Sequence, residues 1–280
     1  MLLKKLIKVN QKKINIIKIK GIALDSRRVK KNYLFFALKG TTFNGEKYIN
    51  QAINKGASAI VISKSTDLKN NNVPIIRVKD PKKVLATVCT KFFEKKPKNI
   101  IAVTGTNGKS SIAEFYHQIL SLNNVPVASI GTLGIKLKKK IIKSNLTSPD
   151  IITLHEQLEK IKKAKIDNVI IEASSHGLQQ GRLDGINFKA GIFTNLSQDH
   201  LDYHRSMKKY LKAKMILFSK LLKKHKHIIT DSHIKEFSII KKIAKKRDLK
   251  VSIIKDLSEI NKKKNTNIIG SFQNKNISMA

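Results

Sequence analysis

Apolar positions in this chain come in short runs, and the segments between them change character near residue 97. Ahead of that point stand the strand-like runs YLFFAL, ASAIVIS and VPIIRV and a helical stretch near Ile49 to Lys55. They predict a small α/β domain over residues 1–97. The stretch Glu94 to Asn99, EKKPKN, is polar, contains a proline and leads directly into a new apolar strand, which places the domain boundary there. From Asn99 the pattern is strand then helix, repeated: IIAVTG, a helix through Ile119, VPVASIG, a helix from about Asp150 to Ala164, NVIIEAS, AGIFTN, a helix from about Met207 to Leu222, HIIT, a further helix and KVSII. Apolar runs alternating with helices predict a second α/β domain over residues 98–280, built on a mainly parallel sheet with helices on both faces. In such sheets ligands collect at the carboxyl ends of the strands. There is no internal repeat and no low-complexity linker.

One position breaks the pattern. In SMKKYLKAKMILFSK, at about 100° per residue, Met207, Tyr210, Leu211, Leu217 and Phe218 share one side of a helix, and Lys208, Lys209, Lys212 and Lys220 take the other. Lys214 projects into the apolar side. A buried ammonium there must lower its pKa or be chemically changed; the alternative, which periodicity alone favours, is a packed stem with the charge snorkelling to water.

Composition narrows the class. The 280 residues carry 57 Lys and Arg against 19 Asp and Glu, a formal charge of +38. Such a charge attracts polyanions. Yet the lysines are spread along the whole chain, tryptophan is absent, and aromatics do not interleave with the basic runs as stacking platforms require, so nucleic acid is not expected as a partner. The run Lys136 to Lys143, KLKKKIIK, reads as a solvated loop or a hairpin edge. The single cysteine, Cys89, cannot form an internal disulfide, and no unbroken apolar run approaches the roughly 18 residues of a membrane span. The basic N-terminus has no small-residue cleavage site and reads as part of the first domain. A cytoplasmic location with no membrane partner is expected.

Chemistry enters at VTGTNGKSS, residues 103–111. Gly105 and Gly108 permit a tight turn with exposed amides, and Lys109 to Ser111 open a helix whose positive end faces that turn, an anion cradle. Thr104, Gly105, Thr106, Asn107, Gly108, Lys109, Ser110 and Ser111 are the candidate nucleotide contacts, with Lys109 on the outer phosphates and the Ser110 hydroxyl on Mg²⁺. The usual longer formula has a glycine where Val103 stands, so this is a shorter variant. NVIIEASSHGLQQGR ends a buried strand in Glu172, placed for a Mg²⁺ carboxylate, and IFTNLSQDHLDYH delivers Thr194, Asn195, Asp199 and His200 from another strand end. His200 and His204 are spaced for a helical zinc pair, but no third ligand is evident, so zinc is not expected and a structural role for one of them stands as the alternative. SSHG lacks the GxSxG elbow of hydrolytic serines.

With these stretches assembled, the chain resembles the Mur ligases, nearest to the branch that adds the third amino acid to UDP-N-acetylmuramoyl-L-alanyl-D-glutamate. The residues that carry the resemblance are TGTNGKS, EASSHGLQQGR, FTNLSQDHLDYHRSMKKYLKAK, DSRRVKKNYLFFALKGTTFNG and AINKGASAIV, in the family's order and across almost all of the chain.

The resemblance implies a uridine-binding first domain and an ATP-binding second one. It implies Lys109 and its loop on ATP, with Ser110, Glu172 and His200 holding Mg²⁺. It implies Asn145, Thr147, Ser174, Gln180 and Arg182 on the UDP-muramoyl dipeptide and Ser26 on its uridine side. Lys214 matches the lysine that the family carbamylates, which would turn the misplaced cation into a carboxylate for a second Mg²⁺ or the γ phosphate; Lys109, His200 and Lys214 are thus the implied catalytic set. The implied reaction is phosphorylation of the D-glutamyl γ-carboxylate by ATP, then amide formation with meso-diaminopimelate or lysine, by a monomer. Leu146 interrupts a usually polar stretch, and Asn44 and Glu46 replace an Asp and a His. The chain stops after IIGSFQNKNISMA, which resembles the end of the family's central domain, so its C-terminal, amino-acid-selecting domain is expected to be absent. Two alternatives stand beside this: another Mur or folylpolyglutamate-type ligase, against whose folate branch DSR and SSHGLQQGR argue, and a non-catalytic module that binds nucleotide or UDP-precursor.

Overall fold

The computed structural model describes residues 1–8, 14, 16–40, 44–66, 73–137, 140–142, 147–254 and 272–280. The chain divides into two compact units, Met1–Glu94 and Lys95–Ala280.

The first unit holds a four-stranded sheet in the order β1 (Gly21–Ala23), β2 (Tyr33–Phe36), β3 (Ala57–Ser63), β4 (Ile75–Val78). All three pairings are parallel. Its helices are α1 (Leu3–Leu6), α2 (Ile49–Asn54) and α3 (Pro81–Phe92). Alternation along the strands sorts the side chains: Phe35, Ile60 and Ile62 join Ile49 and Ala52 of α2 in one core cluster. Asp80 caps α3 by accepting from Lys83 N at 3.0 Å, with Pro81 in the first turn, where its missing N–H costs nothing. The basic N-terminus is folded into this unit, with Leu3, Leu6 and Ile19 buried and the Met1 ammonium donating to Ile19 O at 2.7 Å.

The second unit is built on eight strands in the order β12 (Lys250–Ile253), β11 (His227–Thr230), β10 (Ala190–Phe193), β5 (Asn99–Thr104), β9 (Asn168–Glu172), β6 (Val127–Gly131), β7 (Gly134–Leu137), β8 (Lys140–Ile142). Pairing is parallel from β12 through β6 and antiparallel from β6 to β8. Within the basic run, Lys136–Leu137 and Lys140–Ile141 therefore pair as antiparallel strands at the sheet edge. Two cores separate by the period of two: Ile100, Ala102, Val169 and Ile171 face one side, and Val103, Ile170 and Ile192 the other. On the first side, Leu154, Leu158 and Ile161 of α5 (Ile151–Lys163) supply a helical stripe; burying each contributes roughly 1.5–3 kcal/mol. On the second side lie Ile112, Ala113 and Tyr116 of α4 (Lys109–Leu122), with Met279 of α10 (Phe272–Met279). The remaining helices are α6 (Ser175–Gln179), α7 (Leu201–His204), α8 (Met207–Ile216) and α9 (Phe237–Arg247).

The helix expected from Met207 to about Leu222 is α only to Ile216; Leu217–Leu221 widen into a π turn that ends with Leu217 and Phe218 fully buried. Among the described residues no helix is long and apolar enough to cross a membrane.

Candidate active site

Strand order decides where the site forms. β5 lies between β9 and β10, so three carboxyl ends deliver the glycine loop, Glu172 and the Thr194–Asn195 pair to one place. Gly105 has φ +148°, and a Cβ on it would fall 1.8 Å from Thr194 Oγ1; only glycine lets strand β10 come this near. Gly108, at φ +85°, turns the chain into α4. The β10 end then holds the loop in shape: Thr194 Oγ1 donates to Asn107 O at 2.6 Å, Asn195 Oδ1 accepts from Asn107 N at 3.0 Å, and Asn195 O accepts from Thr106 N at 2.9 Å. Thr104 remains a strand residue, fully buried, with no partner for its hydroxyl among the described residues; its contribution to a ligand is backbone shape rather than side chain.

Lys109 folds back over this loop, donating to Gly105 O at 3.0 Å and Thr106 O at 2.7 Å. Burial pushes its pKa down, opposed by the negative charges of Glu172 and Asp199. Its neighbour Ser110 donates to Glu172 Oε2 at 2.8 Å. Glu172, 2% exposed, also accepts from Thr132 N at 3.0 Å and Thr132 Oγ1 at 3.1 Å. A hydroxyl beside a buried carboxylate is the oxygen set Mg²⁺ uses together with substrate phosphates, so these two residues fit that ion. His200 packs edge-on against His176 and Tyr210, at ring separations of 4.9 and 6.1 Å. Among the described residues no three His, Cys, Asp or Glu side chains are grouped to hold a metal ion by themselves.

Glu172 is held in place by shape as well as by hydrogen bonds. A Cβ on Gly131 would stand 2.0 Å from Glu172 Oε1 and 2.4 Å from its Cδ. Gly131→Ala must therefore expel the carboxylate or bend β6, at a cost of about 1–3 kcal/mol. Thermal unfolding is expected to show a midpoint lowered by roughly 2–10 °C, and an unchanged midpoint would mean that Glu172 is not seated against β6.

Lys214 does not snorkel. It is 1% exposed, its ammonium donates to Gly105 O at 2.7 Å, and it lies 4.2 Å above the centre of the Tyr210 ring. The apolar face of α8 carries it inward to a carbonyl that lies out of its stem's reach of solvent. Desolvation, and then the adjacent Lys109 charge, bring its pKa to about 7, against a partial offset from Asp199. Gly105 O thus accepts from two lysines at once. Tyr210, buried beneath Lys214, reaches Thr106 Oγ1 at 3.3 Å and ties α8 to the loop.

The residues assigned to the acyl substrate fall into one group and two outliers. Ser148 is its hub: its hydroxyl donates to Glu172 O at 2.9 Å and lies 3.1 Å from Ser174 Oγ, while its carbonyl accepts from Arg182 Nη1 at 2.8 Å. Arg182 also donates to Gln180 Oε1 from Nε at 3.0 Å and Nη2 at 2.6 Å, and Gln180 reaches Tyr203 Oη at 3.2 Å. Thr147 Oγ1 is 3.1 Å from Thr132 Oγ1. Ser174 caps α6 through Gly177 N. Asn145, with Leu146, lies outside the described residues. Ser26 belongs to the first unit, buried, with its hydroxyl on Gln51 Oε1 at 2.5 Å. There Asn44 caps the 3₁₀ turn Gly45–Tyr48, and Glu46 accepts from Thr66 at 2.5 Å, so both departures have local partners.

Sequence reasoning missed Thr132, Ser148 and the part played by Tyr210. His204, the other half of the supposed zinc pair, is buried with Nε2 3.0 Å from Ser175 Oγ, while His200 sits at φ +52° before α7, so no common helix face joins them.

Beside the loop a cavity of about 580 Å³ is bordered by Asn107, Gly108, Asn195, Asp231, Phe272 and Asn276. Asp231 is 5% exposed and accepts from Lys275 Nζ at 2.6 Å, His233 N at 2.9 Å and His233 Nδ1 at 2.9 Å. Burial alone would raise this carboxyl; the bonds to Lys275 and His233 outweigh it and hold the pKa at about 2.

Both units match known protein families. The Mur ligase middle domain matches residues 103–280, and the Mur ligase family catalytic domain matches residues 18–93. A UDP-N-acetylmuramoyl-L-alanyl-D-glutamate–2,6-diaminopimelate ligase of Brucella melitensis is 43% identical over 208 residues, 74% of this chain and 43% of the relative. The enzyme of the same name from Aquifex aeolicus is 42% identical over 216 residues, 76% and 44% of the two chains. This chain therefore spans less than half the length of the curated relatives it matches. A solved ligase of that name superposes with TM-score 0.75 at 28% identity, over 90% of this chain and 51% of the other. A MurF ligase from Thermotoga maritima, solved with ADP, shares the fold at TM-score 0.53 and 18% identity, over 86% and 53%.

Proposed function

This chain belongs to the Mur ligase family, and from that membership we propose that it serves the ATP-dependent addition of meso-diaminopimelate to UDP-N-acetylmuramoyl-L-alanyl-D-glutamate, in the cytoplasm and as a monomer. The first unit takes the uridine side of the precursor, through Ser26 among others, and the second takes ATP and the reacting carboxylate. One observation carries the proposal: a glycine loop, two lysines and a hydroxyl–carboxylate pair meet at the ends of three adjacent strands.

The reaction needs two anions brought together. A γ-carboxylate oxygen attacks the γ phosphorus, the bond to the β-phosphate oxygen breaks, and ADP departs with that electron pair. The amine nitrogen of the incoming amino acid then attacks the acyl carbon. The tetrahedral intermediate expels phosphate, and the amine proton passes to solvent. The α4 amides and Lys109 neutralise the phosphates, with Lys109 exchanging its loop carbonyls for phosphate oxygens. Ser110 and Glu172 would hold Mg²⁺, with His200 as a further ligand, and the ion would supply charge neutralisation for the phosphates. Arg182, anchored by Ser148 O and Gln180, aligns the acyl substrate with Ser174, Thr147 and Asn145. Lys214, carbamylated, supplies an anionic arm beside the loop. The cavity beside Gly108 takes the nucleoside of ATP.

The test is phosphate release from ATP, with Mg²⁺ and bicarbonate, by the full-length gene product. Release that requires both UDP-precursor and diaminopimelate is expected. Binding of ATP and precursor without release would leave a binding module, and release supported equally by lysine would remove the amino-acid assignment.

A further inference from the structure

One wall of the nucleoside cavity is α10. Of its eight residues only Asn276 and Met279 are buried, and only Met279 joins an apolar core. Yet this helix sets the part of the cavity next to the phosphate loop: Asn276 Oδ1 is only 2.8 Å from where a Cβ on Gly108 would lie, and its amide is oriented by a bond from Nδ2 to Gln273 Oε1 at 2.8 Å. One turn back, Phe272 borders the same cavity with 63% of its surface open, an aromatic face left free beside a nucleoside-sized space.

The second hold on α10 is the bond from Lys275 to Asp231, which lies just past the end of β11. Asp231 is already seated by His233, through both the backbone N–H and the ring, so it is a fixed point on the sheet to which the helix can be tied. The two holds act at different places, Met279 on α4 and Lys275 on β11, and together they fix the orientation of the helix. We infer that Asp231 and Lys275 form a positioning latch, by which the sheet holds α10 where Asn276 and Phe272 can receive the nucleoside of the bound nucleotide. The inference rests on the proposed assignment of this cavity to ATP. Neither residue is asked to touch the phosphates.

The latch separates the two halves of a nucleotide experimentally. Calorimetric titration with Mg-ATP and with inorganic tripolyphosphate reads the whole ligand and its anionic part. In Lys275→Met the ATP dissociation constant is expected to rise about 10-fold, a modest loss because the lysine is half exposed. The tripolyphosphate constant should stay within roughly twofold, since the α4 cradle is untouched. Lys275→Arg keeps a cation able to reach Asp231 and is expected to recover most of the ATP affinity. Amide hydrogen exchange without ligand gives a second reading: residues 272–279 should exchange about 10-fold faster in Lys275→Met, with α4 unchanged. ATP affinity retained in Lys275→Met, parallel loss of tripolyphosphate, or unaltered exchange in α10 would each overturn the latch. If the unsubstituted protein bound neither probe, the assignment of the site to ATP would fall, while the exchange measurement would still decide whether Lys275 holds α10.

Discussion

Lys109→Met is expected to weaken ATP binding by about two to three orders of magnitude while leaving the fold intact. The side chain spans the loop it serves, donating to Gly105 O and Thr106 O. Burial disfavours its charge, and the anions of Glu172 and Asp199 offset that only in part. A triphosphate placed on the α4 amides would provide what the two carbonyls do not, a full negative charge at hydrogen-bond distance in a partly dry site, where such a contact is worth far more than in water. The fold should survive because the loop has other supports. Gly105 O keeps the donor from Lys214 at 2.7 Å. Thr106 keeps its bond from N to Asn195 O and the bond its hydroxyl receives from Ser197 N at 3.0 Å. Calorimetry and thermal unfolding of the same preparation check both halves. ATP affinity within roughly threefold of the unsubstituted protein would mean that the loop does not use this ammonium for phosphate.

What the sequence disclosed follows the range of the interactions involved. The glycine loop could be read because strand, turn and helix start are contiguous and the chemistry is written within nine residues. The parallel sheet could be read because each buried strand is a continuous apolar run bounded by polar turns. The hairpin at Lys136 was visible only as an edge; its antiparallel pairing with β6 rests on the turn at Gly131–Gly134. Thr132 and Ser148 were not legible, because a hydroxyl in a loop gains its meaning from Glu172, 40 and 24 residues away. Lys214 was visible as a charge on the wrong side of a helix, but periodicity cannot distinguish a stem that escapes to water from one that ends on a buried carbonyl. Its partner, Gly105 O, is 109 residues earlier in the chain, and the burial of the α8 face that carries Tyr210, Ala213 and Lys214 decides the matter. The spacing of His200 and His204, set aside as a zinc pair for want of a third ligand, has a related limit: a four-residue interval means a shared face only inside a continuous helix, and His200 is left-handed.

Lys214 should give the largest dependence on pH and on dissolved carbon dioxide. Its pKa in the folded protein is about 7, against an ordinary value of 10.5, because the ammonium is buried and stands beside Lys109. Between those two values the unfolded chain binds a proton that the folded chain does not. Stability in carbon-dioxide-free buffer must therefore rise with pH across that window, by about 1.4 kcal/mol for each unit crossed. Below pH 7 both states hold the proton, and the penalty is constant. Lys214→Met removes the group, so the difference in unfolding free energy between the two proteins, from denaturant titrations at pH 7 to 10, should carry this slope. The same depression leaves a free amine near neutral pH. Its nitrogen lone pair can attack the carbon of CO₂; an N–C bond forms, one C=O π pair moves onto oxygen, and the displaced proton goes to buffer. The product is an anion beside Lys109, so a repulsion between two cations becomes an attraction, and the desolvated site gains a counter-charge. Labelled bicarbonate is then expected to give a carbamate carbon resonance at pH 8 that is missing in Lys214→Met, and to raise the stability of the unsubstituted protein alone. A resonance absent from the unsubstituted protein in the presence of Mg²⁺ and ATP would remove the carbamate from the proposed mechanism. A pH slope shared equally by Lys214→Met would show that the ammonium is not buried against Gly105.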